Sequence, residues 1–476
     1  MTGRLADRPR LVACVDFGST FTKAALVNAT TGDLLATASH RTTLESDVLD
    51  GWGVALAELV AADPEAAQAE VLACSSAGGG LRIAVVGNEE LVTAEAGRRV
   101  ALSSGGRVVH VSSGGLDRGS TERLRAAEPD VLLLVGGTDG GNAEVLVSCA
   151  SALAQARWRG PVVVAGNAAV QAEVAALLDR ARTPYVLASN VVPRIGVLEP
   201  GSARAAIREM FLRHVIGGKQ LSARTDFTAM VRGATPDVVL TAVELLARGL
   251  DAEHPGVGDV VVLDVGGATT DVHSVLEPDA SDVDRQGGLS RQVVATVPVS
   301  RTVEGDLGLR WSAVPTVEEG IAAGLVEEPE RLRRAAALRR SDPAFLPDDE
   351  QGRYDDELIA TAAVGVALRR HAGRRRVAYG AQGRVVESSG KDLREVDLLV
   401  GSGGVLRFDR DGGAARVLRS VTGGADAGWQ LPRAPRVVVD RDCVLAAAGL
   451  LAAEHPRAAY ALLERFGSSR GTCGIA

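Results

Sequence analysis

Large rings are scarce in this chain: Phe, Trp and Tyr make up 3% of its 476 residues. A core without them must be filled by Ala, Val and Leu, which suits parallel sheets closely covered by helices. Long apolar runs are also missing. None approaches the roughly 18 residues of a membrane span, so no membrane partner is expected. Met1–Arg10 is polar and has no signal-peptide core. Cysteine is sparse and odd in number: Cys14, Cys74, Cys149, Cys443 and Cys473 are dispersed, with no CxxC spacing. That excludes a disulfide framework or zinc site and suits a reducing cytoplasm. Basic blocks are lacking too. With a net charge of −8 and scattered Lys and Arg, nucleic acid is not expected as the main partner. No Ser-His-Asp or clustered His/Cys constellation is visible. Cys473-Gly474-Ile475-Ala476 has the outline of a prenylation box, but its glycine fits poorly and no polybasic segment precedes it.

What the chain does contain is a pair of acidic, glycine-rich turns far apart. Asp16-Phe17-Gly18-Ser19-Thr20-Phe21-Thr22-Lys23 follows the apolar run Leu11–Val15, and Asp264-Val265-Gly266-Gly267-Ala268-Thr269-Thr270-Asp271 follows Val260–Leu263. Each reads as strand, Asp, glycine turn, hydroxyls, strand. An ordinary tight hairpin would account for either alone. The coincidence of two points to a polyphosphate, which needs backbone N–H donors that only glycine lets approach closely. Gly18, Ser19, Thr20, Gly266, Gly267, Thr269 and Thr270 are the expected phosphate contacts. Asp16 and Asp264 are expected to hold hydrated Mg²⁺, an oxygen-seeking ion, and Lys23 to neutralise β-phosphate charge. A third element follows the apolar strand Val396–Val400: Gly401-Ser402-Gly403-Gly404, where glycines let the backbone pack under a base.

Between the two turns, strand candidates recur at Val108–Val111, Val131–Val135, Val162–Ala165 and Tyr185–Ala188, with helix-like stretches at Asn142–Arg157 and Ala168–Arg182. This is the rhythm of a doubly wound parallel α/β unit. The expected organisation is a first half at 1–99, an inserted α/β subdomain at 100–200, a return with a connecting helix at 201–257, and a second half at 258–476. The insert has its own turn, Gly136-Gly137-Thr138-Asp139-Gly140-Gly141-Asn142. It is open to three readings: an anion site at a helix N-terminus, a turn that needs glycine without any ligand, or part of a partner-binding edge. Gly217-Gly218-Lys219 reads as a flexible loop, and Ser341–Tyr354 as an exposed one. Asp271-Val272-His273 begins like the cobalt-ligating Asp-x-His-x-x-Gly motif, but Leu276 stands where glycine belongs. His273 is therefore expected to be an ordinary strand residue.

The two turns, the Gly401–Gly404 motif, and helix candidates at Pro236–Gly249 and Asp440–Ala453 resemble, in order, the actin/Hsp70/sugar-kinase ATPase superfamily. The fold implied is α/β: two RNase H-like halves, here with the inserted subdomain. More narrowly, VACVDFGSTFTK (Val12–Lys23), LACSSAGGGLRI (Leu72–Ile83), LVGGTDGGN (Leu134–Asn142), VVAGNAAV (Val163–Val170), NVVP (Asn190–Pro193), HVIGG (His214–Gly218) and LDVGGATTDVHSV (Leu263–Val275) resemble the MutL/GlmL family. These are accessory proteins of adenosylcobalamin-dependent glutamate mutase, unrelated to the mismatch-repair protein of the same name. The resemblance implies an ATP- and Mg²⁺-dependent chaperone-type ATPase that reactivates a mutase by nucleotide-driven domain movement, with mutase subunits as partners and the insert as a docking surface. Glu244 is a weak candidate for orienting the attacking water. Alternatives are a small-molecule kinase of the same fold, a non-catalytic nucleotide-binding scaffold, and an actin-like filament.

Overall fold

A computed structural model of the chain describes residues 10–89, 93–219, 221–277, 298–380, 383–423 and 428–467. Cys473–Ala476 and most of Met1–Arg10 lie outside them. The chain divides into two compact units. One runs up to Leu240 and takes in Gly449–Ala453; the other holds most of the chain from Thr241 onward. No helix among the described residues is long and apolar enough to cross a membrane.

In the first unit the strands are β1 (Leu11–Phe17), β2 (Phe21–Asn28), β3 (Leu34–Arg41), β4 (Glu70–Ser75), β5 (Leu81–Gly87), β6 (Gly106–Ser113), β7 (Val131–Leu134), β8 (Val162–Val164), β9 (Tyr185–Leu187) and β10 (Val231–Ala234). Five of them form a sheet in the order β10-β4-β1-β2-β3. Here β1 pairs antiparallel with β2 and parallel with β4. The remaining five form a sheet in the order β6-β5-β7-β8-β9, with every pairing parallel. In insert order this is 2-1-3-4-5, a doubly wound arrangement. Apolar side chains line both of its faces, as parallel sheets require. Ile83, Val85, Leu133 and Val163 join the core shared with β1 and β2. Ala84, Val86, Leu132, Leu134 and Val164 pack with Leu124, Leu146, Leu153 and Leu178 on the other face.

This sheet corrects the expected insert boundaries. Leu81–Gly87, expected in the first half, is its first strand in chain order and lies between β6 and β7, so the insert begins near Leu81 rather than at 100. Its far edge moves as well: Ala203, Ile207 and Met210 of the helix Gly201–Met210 share a core with Val163 and Leu133. The Gly217-Gly218-Lys219 segment is not loose either. It forms a 3-10 turn, and Lys219 Nζ lies 2.9 Å from Asp130 Oδ2.

The second unit contains a small hairpin of β11 (Gly249–Asp251) and β12 (His254–Pro255), then β13 (Val260–Val265), β14 (Thr270–Val275), β15 (Val299–Glu304), β16 (Arg374–Gly380), β17 (Gly383–Ser389), β18 (Leu398–Ser402) and β19 (Arg436–Val439). Its sheet order is β15-β14-β13-β18-β19. The first three strands are antiparallel neighbours; β13, β18 and β19 run parallel. Strand for strand this repeats the first unit's β3-β2-β1-β4-β10. Two RNase H-like halves of one topology, the first interrupted by a doubly wound insert between β4 and β10, make the actin-like ATPase fold. The expected exposed loop at Ser341–Tyr354 is shorter than read: helices Pro329–Ser341 and Glu350–His371 close on it from both sides.

Candidate functional site

In the first unit the acidic turn joins β1 to β2. The Gly18 N–H donates to the Phe21 carbonyl at 3.1 Å, and a Cβ on Gly18 would come within 2.7 Å of that same oxygen. A threonine just past β3 holds the turn from the side: Thr42 Oγ1 donates to the Gly18 carbonyl at 2.8 Å, and the Thr42 N–H to the Thr20 carbonyl at 3.0 Å. Ser19 is exposed at the tip and Thr20 half-buried. Asp16 and Lys23 are cross-strand partners, which places Lys23 Nζ 3.8 Å from Asp16 Oδ2. Asp16 Oδ1 accepts from Thr235 Oγ1 at 2.6 Å and from Cys74 Sγ at 3.6 Å. Burial, and then the Asp16 charge beside it, push the Cys74 thiol well above its ordinary pKa, so it stays a thiol.

The second unit repeats the hairpin. The Gly266 N–H donates to the Thr269 carbonyl at 2.8 Å, and Asp264 faces Asp271 across β13 and β14. Arg301 takes the second carboxylate, with NH2 lying 2.5 Å from Asp271 Oδ1. Burial raises the Asp271 pKa, Arg301 opposes that rise and the Asp264 charge adds to it. Asp264 itself is half-buried and receives no hydrogen bond or cation among the described residues. Thr270 departs from expectation. Its side chain is fully enclosed and its hydroxyl has no partner among the described residues, so it does not present a donor to phosphate. It occupies the register of Thr22 in the first hairpin, also fully buried.

A segment that sequence reasoning missed braces this second turn. Leu309 and Arg310 N–H groups donate to the Gly266 and Gly267 carbonyls at 3.1 and 2.8 Å, and Ser312 Oγ to the Ala268 carbonyl at 2.7 Å. The Arg310 guanidinium makes a forked pair with Asp356 at 3.2 and 2.9 Å. The same carboxylate accepts from the buried Arg339 at 2.5 Å. The only cue in the sequence is Gly308, which must lie against Ala268.

The Gly401–Gly404 motif ends β18 beside this turn, with Ser402 in register with Asp264. Gly403 has φ +104°, and a Cβ there would lie 2.2 Å from the Val265 carbonyl oxygen. Gly401 packs under Leu418 and Leu406. Gly404, exposed at the start of the short helix Gly404–Arg407, has open space where a Cβ would be. Glu244 lies on the helix Thr235–Arg248, with a carboxylate oxygen 3.8 Å from Arg248 NH1. His273 is an enclosed strand residue.

In the insert, the Gly136–Asn142 turn links β7 to the helix Glu144–Gln155. Gly137 has φ +69°, and its Cβ would overlap the Asn142 carbonyl at 2.0 Å. Two buried asparagines hold the turn. Asn167 Nδ2 donates to the Gly141 and Asn142 carbonyls at 3.2 and 3.3 Å. Asn190 Nδ2 donates to the Gly137 carbonyl at 2.9 Å. The glycines are thus required by the turn itself.

The profile of the MutL protein family matches residues 12–466. The chain belongs to the MutL family. Protein MutL of Clostridium tetanomorphum is 35% identical over 458 residues, spanning 95% of this chain and 98% of that one. Solved structures similar to this MutL-family chain include nucleotide-free acetone carboxylase, at 13% identity over 93% of this chain and 70% of that chain (TM-score 0.40). Xylulose kinase from Lactobacillus acidophilus matches at 11% over 96% and 92% (TM-score 0.32). The ethanolamine utilization protein EutJ from Carboxydothermus hydrogenoformans matches at 8% over 96% and 91% (TM-score 0.28).

Proposed function

We propose that this MutL-family chain is an ATP-binding, chaperone-type ATPase that maintains or reactivates an adenosylcobalamin-dependent mutase of the glutamate mutase kind. The observation that carries the nucleotide reading is the repeated hairpin. Each half places one carboxylate, Asp16 or Asp264, at the end of its central strand, beside a glycine turn that bears hydroxyls. The donor set is all oxygen and Asp264 has nothing on it among the described residues, which suits Mg²⁺. Mg²⁺ bound with ATP would supply charge neutralisation of the phosphates. Gly18, Ser19 and Thr20, with Gly266, Gly267 and Thr269, bind phosphate oxygens; Lys23 adds a positive charge; Gly401, Gly403 and Gly404 bring the backbone under the base. ATP turnover then drives a domain movement, as a ligand that favours one conformation shifts a closure equilibrium. Family membership supports mutase subunits as the partner.

The test has two arms. Phosphate release from Mg-ATP is measured for the purified protein and for Asp264→Ala; slow turnover lost in the variant is expected. Mutase inactivated by turnover is then incubated with protein and ATP; recovered activity that requires ATP is expected. Turnover equal in both proteins would overturn the site, and turnover without mutase recovery would overturn the client.

A further inference from the structure

We propose that Thr235 is the positioning residue for Asp16, fixing which of its carboxylate oxygens faces Mg-ATP. The inference rests on the nucleotide reading above. Thr235 Oγ1 donates to Asp16 Oδ1 at 2.6 Å, from 219 positions away in sequence. Cys74 Sγ, on the neighbouring strand, makes a long contact with the same oxygen at 3.6 Å. Oδ1 is thus tied down from inside the unit, while Oδ2 is the oxygen approached by Lys23, at 3.8 Å. A carboxylate held at one oxygen presents the other in a single orientation. A hydrogen bond to a charged acceptor is among the stronger ones a side chain makes.

Thr235 is itself rigidly placed. It opens the helix Thr235–Arg248, and Pro236 fixes φ at the next position. One residue on, Asp237 is almost fully buried. Its Oδ2 lies 2.6 Å from Arg208 Nε, and its Oδ1 3.7 Å from Arg204 NH2. Both arginines belong to the helix that packs on the insert's sheet. Gly105 makes room for this junction, since its Cβ would lie 2.7 Å from the Asp237 nitrogen. The helix start is therefore anchored by Arg208 through Asp237, and from that anchor Thr235 reaches Asp16.

The test uses the full chain and reads nucleotide affinity by calorimetry, once with Mg²⁺ and once with ATP in EDTA. Thr235→Val keeps the shape and removes the donor. It is expected to weaken Mg-ATP binding about tenfold while changing affinity in EDTA less than about twofold. Thr235→Ser restores the hydroxyl and is expected to bind Mg-ATP as wild type does. Arg208→Gln loosens the anchor without touching Asp16, and is expected to give a smaller loss in the same Mg²⁺-dependent component. It keeps the test open if Thr235→Val is poorly folded. Thr235→Val that binds as wild type does, or that loses affinity equally with and without Mg²⁺, overturns the positioning role and leaves the nucleotide reading standing. Wild-type protein that binds no Mg-ATP overturns both.

Discussion

Asn190 donates its side-chain amide to Asp139 Oδ1 at 2.8 Å across 51 positions. The same amide reaches the Gly137 carbonyl, and the Asp139 N–H donates to the Pro193 carbonyl at 3.0 Å. LVGGTDGGN and NVVP, two of the stretches that carry the family resemblance, are thus one joint at the carboxyl ends of β7 and β9. Asp139 Oδ1 also accepts from the Ala168 N–H at 2.9 Å, so one buried asparagine and one carboxylate tie three loops together.

Removing this joint should cost stability in the first unit. Asn190→Ala leaves the buried Gly137 carbonyl without its side-chain donor, a loss of about 1–3 kcal/mol. Asn190→Asp should cost more, because it sets a second carboxylate against Asp139. Urea unfolding of both variants checks this. Equal midpoints for Asn190→Asp and wild type would show that the joint contributes nothing.

The features legible in the sequence are those set by local pattern. Each hairpin carries its own Asp, glycine turn and hydroxyls within eight residues, so the two half-sites are visible at once. The features that escape it depend on partners distant in the chain. Leu81–Gly87 is an apolar run whose local pattern is the same whichever sheet it joins; only its pairing with β6 and β7 assigns it to the insert. Thr235 reads as the start of a helix before proline, and nothing local says that its hydroxyl reaches Asp16. Thr270 misleads because the Thr269-Thr270 pair looks symmetrical in sequence, whereas strand alternation turns one of the two inward.

Two adjacent glycines should separate packing from ligand binding. At Gly403 a Cβ would collide with the Val265 carbonyl, and the positive φ is strained for any other residue. Gly403→Ala should therefore destabilise the second unit by several kcal/mol, of the order seen for backbone strain with steric overlap. Gly404→Ala meets nothing, so its melting temperature should match wild type, while nucleotide affinity falls if the base lies against that backbone. Calorimetric melting together with nucleotide titration reads both. Unaltered affinity in Gly404→Ala would remove that glycine from the site.

Asp356 should matter more than either of its arginines suggests singly. Arg339 is almost fully enclosed, and its other donors go to the Ala335 and Gly352 carbonyls. Asp356→Ala would leave that charge buried without a counter-ion, a loss of about 3–5 kcal/mol. Arg310→Gln keeps the Arg339–Asp356 pair and should be much milder in stability. It removes the guanidinium that anchors the strap behind Gly266 and Gly267, so phosphate binding should weaken. The pair of variants, compared by chemical denaturation and ATP titration, distinguishes a folding role from bracing of the turn. Equal stability losses would contradict this division.

The second unit should lose stability in mild acid. Burial, with Arg301 adding to it, pushes the His273 pKa down to about 3. His371 is lowered well below its ordinary value, by burial first and then by Lys391 and His273. His371 is held neutral between hydroxyls, its Nδ1 3.0 Å from Thr302 Oγ1 and its Nε2 2.8 Å from Ser274 Oγ. Unfolded histidine titrates near 6.5. Above that pH neither state binds the proton and the stability is fully present. Below it the unfolded chain takes up protons that the native ring refuses, so stability falls as pH falls, down to about 3 for His273. Each histidine contributes a slope of up to about 1.4 kcal/mol per pH unit. Asp271, whose pKa is raised, acts in the opposite sense, but only as pH nears the carboxylate range. Denaturant midpoints measured from pH 7.5 to 5 should therefore decline. In His371→Gln the protein should be less stable at pH 7.5 yet decline less steeply. An unchanged slope in that variant would mean that His371 takes up its proton in the native state as readily as in the unfolded chain.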